Sequence, residues 1–358
     1  MQLADSTYLP REAPVAPIRV LAEDGTLVDG ARPDLDDERA LAALRLMMLA
    51  RAFDDKCFSL QRQGRLGTFA PLGAQEASVL GPALALEPER DWVVVQYREM
   101  PAQLHQGMTL ERLALYRRGH PLGLQPPAGA NLTVHQVSLA AQLPHAVGLA
   151  WGLRLQGEDA VVMTYFGDGA SSEGDFHEAC NLAGVVKAPV IFVLQNNGWA
   201  ISTPRAIQSA TSDLAARAPA YGFPGFAVDG NDLFALYGVA REPVARARAG
   251  DGPTLIESRT YRTSPHTTVD DPSRYVDPRE LERWKKRDPI VRLQKYLRRR
   301  RKWPAKLAAR WAEEIAAEVE EAFARSESHG PPRAEAVFEH VFAEPTPLLR
   351  RQRAARGV

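Results

Sequence analysis

At 358 residues, with 45% hydrophobic and 25% charged residues, the chain is long enough to bury the core of one large α/β domain or of two modest ones. Basic and acidic residues balance at 44 each, which excludes a summed field that selects nucleic acid or an anionic membrane. Cys57 and Cys180 stand far apart without a CxxC spacing, which excludes a disulfide scaffold and a structural zinc site and fits a reducing cytoplasm.

In chain order, residues 1–33 are rich in Pro, Asp and Gly, and read as an extended arm that either lies on a partner subunit or is unstructured. They lack the basic start and apolar run of a signal peptide, and no apolar run in the chain is long enough to span a bilayer. From Asp34, an N-cap residue type followed by Asp36, Asp37 and Glu38, the apolar residues Leu41, Leu44, Met48 and Phe53 recur at helical spacing. Apolar, β-branched runs then alternate with helix-sized segments: Trp92–Val95, Val161–Phe166, Val190–Leu194 and Thr254–Tyr261. That pattern predicts a doubly wound, mostly parallel α/β domain over 34–275, with its sheet covered on both faces. Glu280–Leu297 and Lys306–Ala324 are charged and helical in period, and predict a helical C-terminal region over 276–358. The basic run Arg298–Lys302 between them reads as a solvated face.

The most informative residues fall at strand ends, where ligands of open α/β sheets bind. Val161–Phe166 ends in Gly167-Asp168-Gly169, and Ala170 to Asp175 then opens a helix. The glycines let the backbone turn tightly against a ligand, and Asp168 offers one hard carboxylate. One helix and one strand later, Val190–Leu194 ends in Gln195-Asn196-Asn197-Gly198. A strand, a crossover helix and a strand bring Asp168 and Asn197 together on one cation, for which magnesium is expected beside phosphate oxygens.

This pair, in the version GDGASSEGDFHEACNLAGVVKAPVIFVLQNNGWAIST, resembles the thiamine-diphosphate signature of the alpha subunits of pyruvate and branched-chain 2-oxoacid dehydrogenases. QRQGRLGTFAP, GAQEAS, VQYREM, YRTSPHTTVDDPSRY and KKRDPIVRL extend the resemblance over most of the chain after residue 20. The resemblance implies the thiamine-diphosphate-binding fold, with thiamine diphosphate and Mg²⁺ as cofactors. It places Asp168, Asn197 and the backbone carbonyl of Trp199 on the metal. Tyr97, Arg98, Gly167, Gly169, Ala170 and Arg262 fall on the diphosphate side, and Val137 and Leu139 beside the aminopyrimidine. His266 falls at the reaction centre as the catalytic residue, and Phe69 in the acyl pocket. It further implies a beta subunit that completes an α₂β₂ heterotetramer and supplies the glutamate of ylid formation. A lipoyl acyltransferase core then takes the acyl group from a 2-oxoacid.

Gln195 and Pro265 depart from branched-chain enzymes of animals and lean toward pyruvate as substrate; branched-chain 2-oxoacids and acetoin are the alternatives. Glu76, in GAQEAS, reads equally as a residue near the cofactor and as one used in packing. Ser171, Ser172 and Glu173 read as helix caps, and Thr267 as an unmodified loop threonine at a position that is phosphorylated in animal enzymes. Two rivals from other classes are a Mg-dependent phosphohydrolase using Asp168 and a noncatalytic nucleotide-binding subunit.

Overall fold

The computed structural model describes residues 15–339 and 341–358; residues 1–14 of the expected arm lie outside them. Five strands form one parallel sheet: β1 (Trp92–Val94), β2 (Val162–Gly167), β3 (Val190–Asn196), β6 (Gly225–Asp229) and β7 (Thr254–Arg259), in the order β1-β2-β3-β7-β6. A two-residue hairpin, β4 (Trp199–Ala200) with β5 (Thr203–Pro204), follows β3. The helices are α1 (Asp37–Arg62), α2 (Glu76–Ala83), α3 (Met100–His105), α4 (Leu110–Arg117), α5 (Gln142–Leu155), α6 (Gly174–Val186), α7 (Arg205–Gln208), α8 (Leu233–Arg248), α9 (Pro278–Lys285), α10 (Pro289–Arg299), α11 (Ala305–Ser328) and α12 (Pro347–Ala355). Among the described residues no helix is long and apolar enough to cross a membrane.

The direction of travel across the sheet decides which face each helix covers. β1, β2 and β3 advance one way, so right-handed crossovers put α5 and α6 on one face; β6 to β7 steps back and puts α8 on the other. Side chains alternate between the two cores accordingly. Val162, Phe166, Val190, Phe192 and Leu255 enter the α5–α6 core, while Val161, Met163, Tyr165, Ile191 and Ile256 enter the core shared with α1, α2 and α8. Burial on both sides is why these strands read as continuous apolar runs.

Three local expectations are corrected. The cap of α1 is Asp36, whose carboxylate accepts from Arg39 N at 2.8 Å, because Leu35 is buried and must precede the first turn; Asp34 instead pairs with Arg241. The single helix expected over Glu280–Leu297 is two, because Pro289 cannot continue a helix and Asp288 caps a new one by accepting from Val291 N. Strand β6 went unread in the sequence: it is five residues between Pro224 and Gly230, with its first two residues only half-buried at the sheet edge.

Residues 15–33 lie on their own chain. Ile18 N donates to Ala227 O at 2.8 Å and Ile18 O accepts from Asp229 N at 3.0 Å, which extends the sheet past β6. The amides of Val20 and Leu21 donate to Asp232 Oδ2, at the cap of α8. Arg292 of α10, 1% exposed, reaches Asp229 and Asp232 and donates to the carbonyls of Leu21 and Ala22, so arm, sheet edge and C-terminal helices share one buried cation. The C-terminal helices also join the α1 core, where Phe53 and Phe323 stack at 5.1 Å. Of the basic run, Arg299 and Arg300 stay exposed and pair with Asp24 and Asp37.

Glu76 is used in packing. Its carboxylate, 1% exposed, accepts both Nε and Nη2 of Arg51 at 2.7 Å, and Arg51 Nη1 reaches Asp288, so one guanidinium joins α1, α2 and the cap of α10. Removing the cation strands a buried carboxylate. Arg51→Met is expected to cost about 3 kcal/mol of unfolding free energy, read by chemical denaturation, and more than Glu76→Gln costs.

Candidate active site

At the carboxyl edge of the sheet, Gly167 of β2 stands beside Gln195 of β3. Asp168 follows and is sealed from solvent, with neither carboxylate oxygen hydrogen-bonded. Burial pushes its carboxyl up to about 6, because desolvation of the charged form outweighs the nearby backbone amides of Asp168 and Asn197 and the charges of Arg262 and Arg205. A Cβ on Gly169 would stand 2.9 Å from Ala200 Cβ, so the turn packs directly on the β4–β5 hairpin, while Gly167 faces open space. Asn197 follows β3. Its Nδ2 donates to Gln75 Oε1 at 3.2 Å, and its Oδ1 accepts from Trp199 N at 3.2 Å and keeps a second lone pair. Gly198, at φ +84°, turns the chain into the hairpin. Trp199 pairs with Pro204 across the hairpin, and Arg205 N donates to Gly198 O at 2.9 Å at its base.

Glu99 organises the end of β1. Its buried carboxylate accepts from Gln96 N and Arg98 N at 2.9 Å and from Gln195 Nε2 at 2.9 Å, which fixes the turn that presents Tyr97 and Arg98 to the end of β3. Arg98 is buried; its guanidinium donates to Pro71 O, to His266 O at 2.7 Å and to His266 Nδ1 at 2.9 Å. An arginine has no acceptor, so Nδ1 accepts and the neutral ring carries its proton on Nε2. Burial first, then the charges of Arg98 and Arg262, push His266 down to about 4. Arg262, 2% exposed, donates to Ile201 O at 2.7 Å and to Tyr275 Oη at 2.8 Å, and Tyr275 in turn donates to Asp270, which also accepts from His266 N at 2.7 Å.

These groups surround one cavity of about 950 Å³. Tyr97, Arg98, Val137, Leu139, Gly167, Gly169, Ala170, Asn197, Trp199, Arg262 and His266 all line it, with Phe69 and Gln195, while Asp168 lies sealed behind the lining. The residues that the family resemblance singles out are thus gathered in one place. Gln75, Glu99, Arg117 and His135 also line the cavity, and of these only Gln75, in GAQEAS, and Glu99, in VQYREM, lie in segments that the sequence marks. Ser171 Oγ donates to Asp168 O, and Glu173 is the cap residue of α6 without a side-chain cap bond, so neither serine nor Glu173 caps that helix through its side chain.

A buried carboxylate and an amide oxygen with a lone pair to spare are oxygen donors suited to a hard divalent cation. Among the described residues there is no cluster of three or more His, Cys, Asp or Glu able to hold a metal. The rest of the cation's shell has to come from a ligand, and the arginines on the same wall favour an anionic one.

Residues 44–335 match the family described as Dehydrogenase E1 component. The chain belongs to that family. It is 46% identical over 288 residues to the pyruvate dehydrogenase E1 component subunit alpha of Staphylococcus aureus, covering 80% of this chain and 78% of that one, and equally so to the protein of the same name from Staphylococcus epidermidis. E1 components of this family are thiamine-diphosphate-dependent oxidoreductases acting on 2-oxoacids.

For this E1 component the depressed His266 has a consequence for stability. A histidine kept neutral in the folded chain contributes stability that is present above its ordinary 6.5 and lost as pH falls toward about 4. His135 shares that window. Between pH 7 and 4.5 the buried Asp168 and Asp54, raised to about 6, act in the opposite direction, so the readout is the difference between variants. The pH-dependent change in thermal midpoint of the cofactor-free chain is expected to be less destabilising in His266→Gln than in the wild-type chain, and less again in the double variant with His135→Gln.

Proposed function

We propose that the chain is the alpha subunit of a cytoplasmic pyruvate dehydrogenase, holding the diphosphate and metal of thiamine diphosphate and acting only with a beta subunit in an α₂β₂ heterotetramer. The observation that carries this reading is the sealed, unpartnered Asp168 carboxylate beside Asn197. Asp168, Asn197 Oδ1 and the Trp199 carbonyl would hold Mg²⁺. Arg262 and Arg98 would offset the diphosphate charge, Tyr97 with Gly167, Gly169 and Ala170 would flank it, and Val137 and Leu139 would meet the aminopyrimidine.

When bound, the thiazolium ring supplies the electron sink that 2-oxoacid decarboxylation needs and that no side chain provides. The chain's own part is to orient and to move protons. His266 is the catalytic residue: with Nδ1 tied to Arg98, its Nε2–H is the end left to donate or exchange a proton at the reaction centre. Because Arg98 spans both His266 and Pro71 O, it sets the position of that imidazole as well as the local charge. The outward faces of α5 and α6 leave Leu155 and Val185 about three-quarters exposed, apolar surface available to a partner subunit. A lipoyl acyltransferase is the expected acceptor of the acyl group.

Pyruvate is favoured by the names of the relatives. The lone carboxylate among amides speaks against a phosphohydrolase, which gathers several acids around its metal.

Asp168→Asn is expected to weaken Mg²⁺-dependent thiamine diphosphate binding by about a hundredfold in calorimetry of the assembled α/β complex, with the fold retained by circular dichroism. Turnover of pyruvate should exceed that of 3-methyl-2-oxobutanoate by about tenfold or more, the scale of a pocket that rejects extra methyl groups. Equal turnover of the two acids removes the pyruvate assignment; undiminished cofactor binding by the variant removes the metal site.

A further inference from the structure

The cavity has a second wall, away from Asp168 and Asn197 in the proposed assignment, to which α4 contributes. Arg117, in the last turn of α4, lines it with its guanidinium 4.0 Å over the ring of Phe69, itself a lining residue. The Arg117 side chain is 9% exposed, its Nη2 makes only a long 3.4 Å contact with Asp54 Oδ1, and its Nη1 has no hydrogen-bond partner. Asp54 is committed elsewhere, accepting from Leu72 N through Oδ2 at 2.9 Å. Burial pushes Asp54 up to about 6 despite the adjacent cation, the behaviour of a buried pair whose attraction does not offset desolvation. A planar fork of five donors is thus held in a low-dielectric wall with one distant side-chain acceptor.

Beside it stands His135, its ring stacked on Tyr116 at 4.0 Å and 6°. His135 Nε2 lies 3.1 Å from Gln103 Nε2. An amide nitrogen donates, so the ring nitrogen accepts and the imidazole proton sits on Nδ1. The wall therefore offers a cation and a neutral donor against the apolar surface of Phe69, the complement of a small carboxylate-bearing molecule.

We infer that Arg117, supported by His135, is the subsite that holds a carboxylate of the substrate. The inference rests on the 2-oxoacid reading above and adds the residue that orients the acid in the cavity. The carboxylate has two sources, the group beside the oxo carbon of any 2-oxoacid or the distal group of a dicarboxylic one.

Two substitutions in the assembled α/β complex act with opposite sign. Arg117→Gln removes the cation; Asp54→Asn removes its competitor while keeping a carbonyl oxygen for Leu72 N. The KM for pyruvate should rise about tenfold or more in Arg117→Gln, the scale of a lost charge-assisted hydrogen bond, and fall in Asp54→Asn, with kcat changing less in both. Loosened packing would raise KM in both variants, so the opposite signs are what a purely structural role does not give. Without turnover, the rise in melting temperature produced by pyruvate in the cofactor-free complex should shrink in Arg117→Gln and grow in Asp54→Asn. A pyruvate effect assigns the group beside the oxo carbon; unchanged pyruvate with loss of 2-oxoglutarate binding in Arg117→Gln assigns a distal one. Both acids unaffected in both variants overturns the inference. Failure of the wild-type complex to bind thiamine diphosphate overturns the functional reading instead, and the melting shifts then decide the subsite alone.

Discussion

A carboxylate withdrawn from water with neither oxygen bonded is among the least favourable things a fold can contain. Asp168 is in that condition, and its surroundings explain how it is retained. The parallel register puts the end of β2 beside the end of β3, the glycine turn lets the hairpin after β3 close over it, and Gln75 fixes the amide of Asn197 so that an oxygen faces the same space. Arg262 and Arg205 offset the charge only in part. The cost is carried by the two hydrophobic cores that clamp the sheet from either side, and it makes the site selective for a hard cation that arrives with its own anionic ligands.

Around that centre, arginines do two different kinds of work. Arg51 and Arg292 are structural: each is paired with two carboxylates and ties together elements distant in sequence. Arg98, Arg262 and Arg117 sit on the cavity wall with donors committed to carbonyls, a ring nitrogen or a distant carboxylate, so their charge is not locally cancelled to the same degree. The division follows the chemistry of guanidinium, which stays charged when buried and whose fork can bridge several acceptors at once.

Much of the site was legible in the sequence, because glycine, aspartate and asparagine at strand ends carry positional meaning that survives without coordinates. The strands of the sheet interior were legible for a similar reason: burial on both faces leaves no polar residue to interrupt them. What escaped detection depends on tertiary placement. β6 is short, begins with glycine and lies at the edge, so it has neither length nor pattern. Glu99, Gln75, Arg117 and His135 are polar residues on helices or loops whose spacing matches a solvated surface, and only packing turns them inward. The position of the α1 cap depended on whether Leu35 is buried, which no local propensity decides.

The arm and Arg292 bear on the order in which the molecule can be made. Residues 18–22 find their partners on β6, at the cap of α8 and on a side chain about 270 positions downstream. During synthesis, which delivers the chain from the N-terminus, this first segment leaves the ribosome long before anything it binds exists. The edge of β6 finds its cover, Ile18, already made when it emerges, but Arg292, which ties the arm down through the carbonyls of Leu21 and Ala22, comes later. Locking of the arm is therefore a closing event, and a nascent chain halted before α10 holds its β6 edge covered only by the unlocked arm, leaving that edge easier to expose for pairing with the wrong molecule.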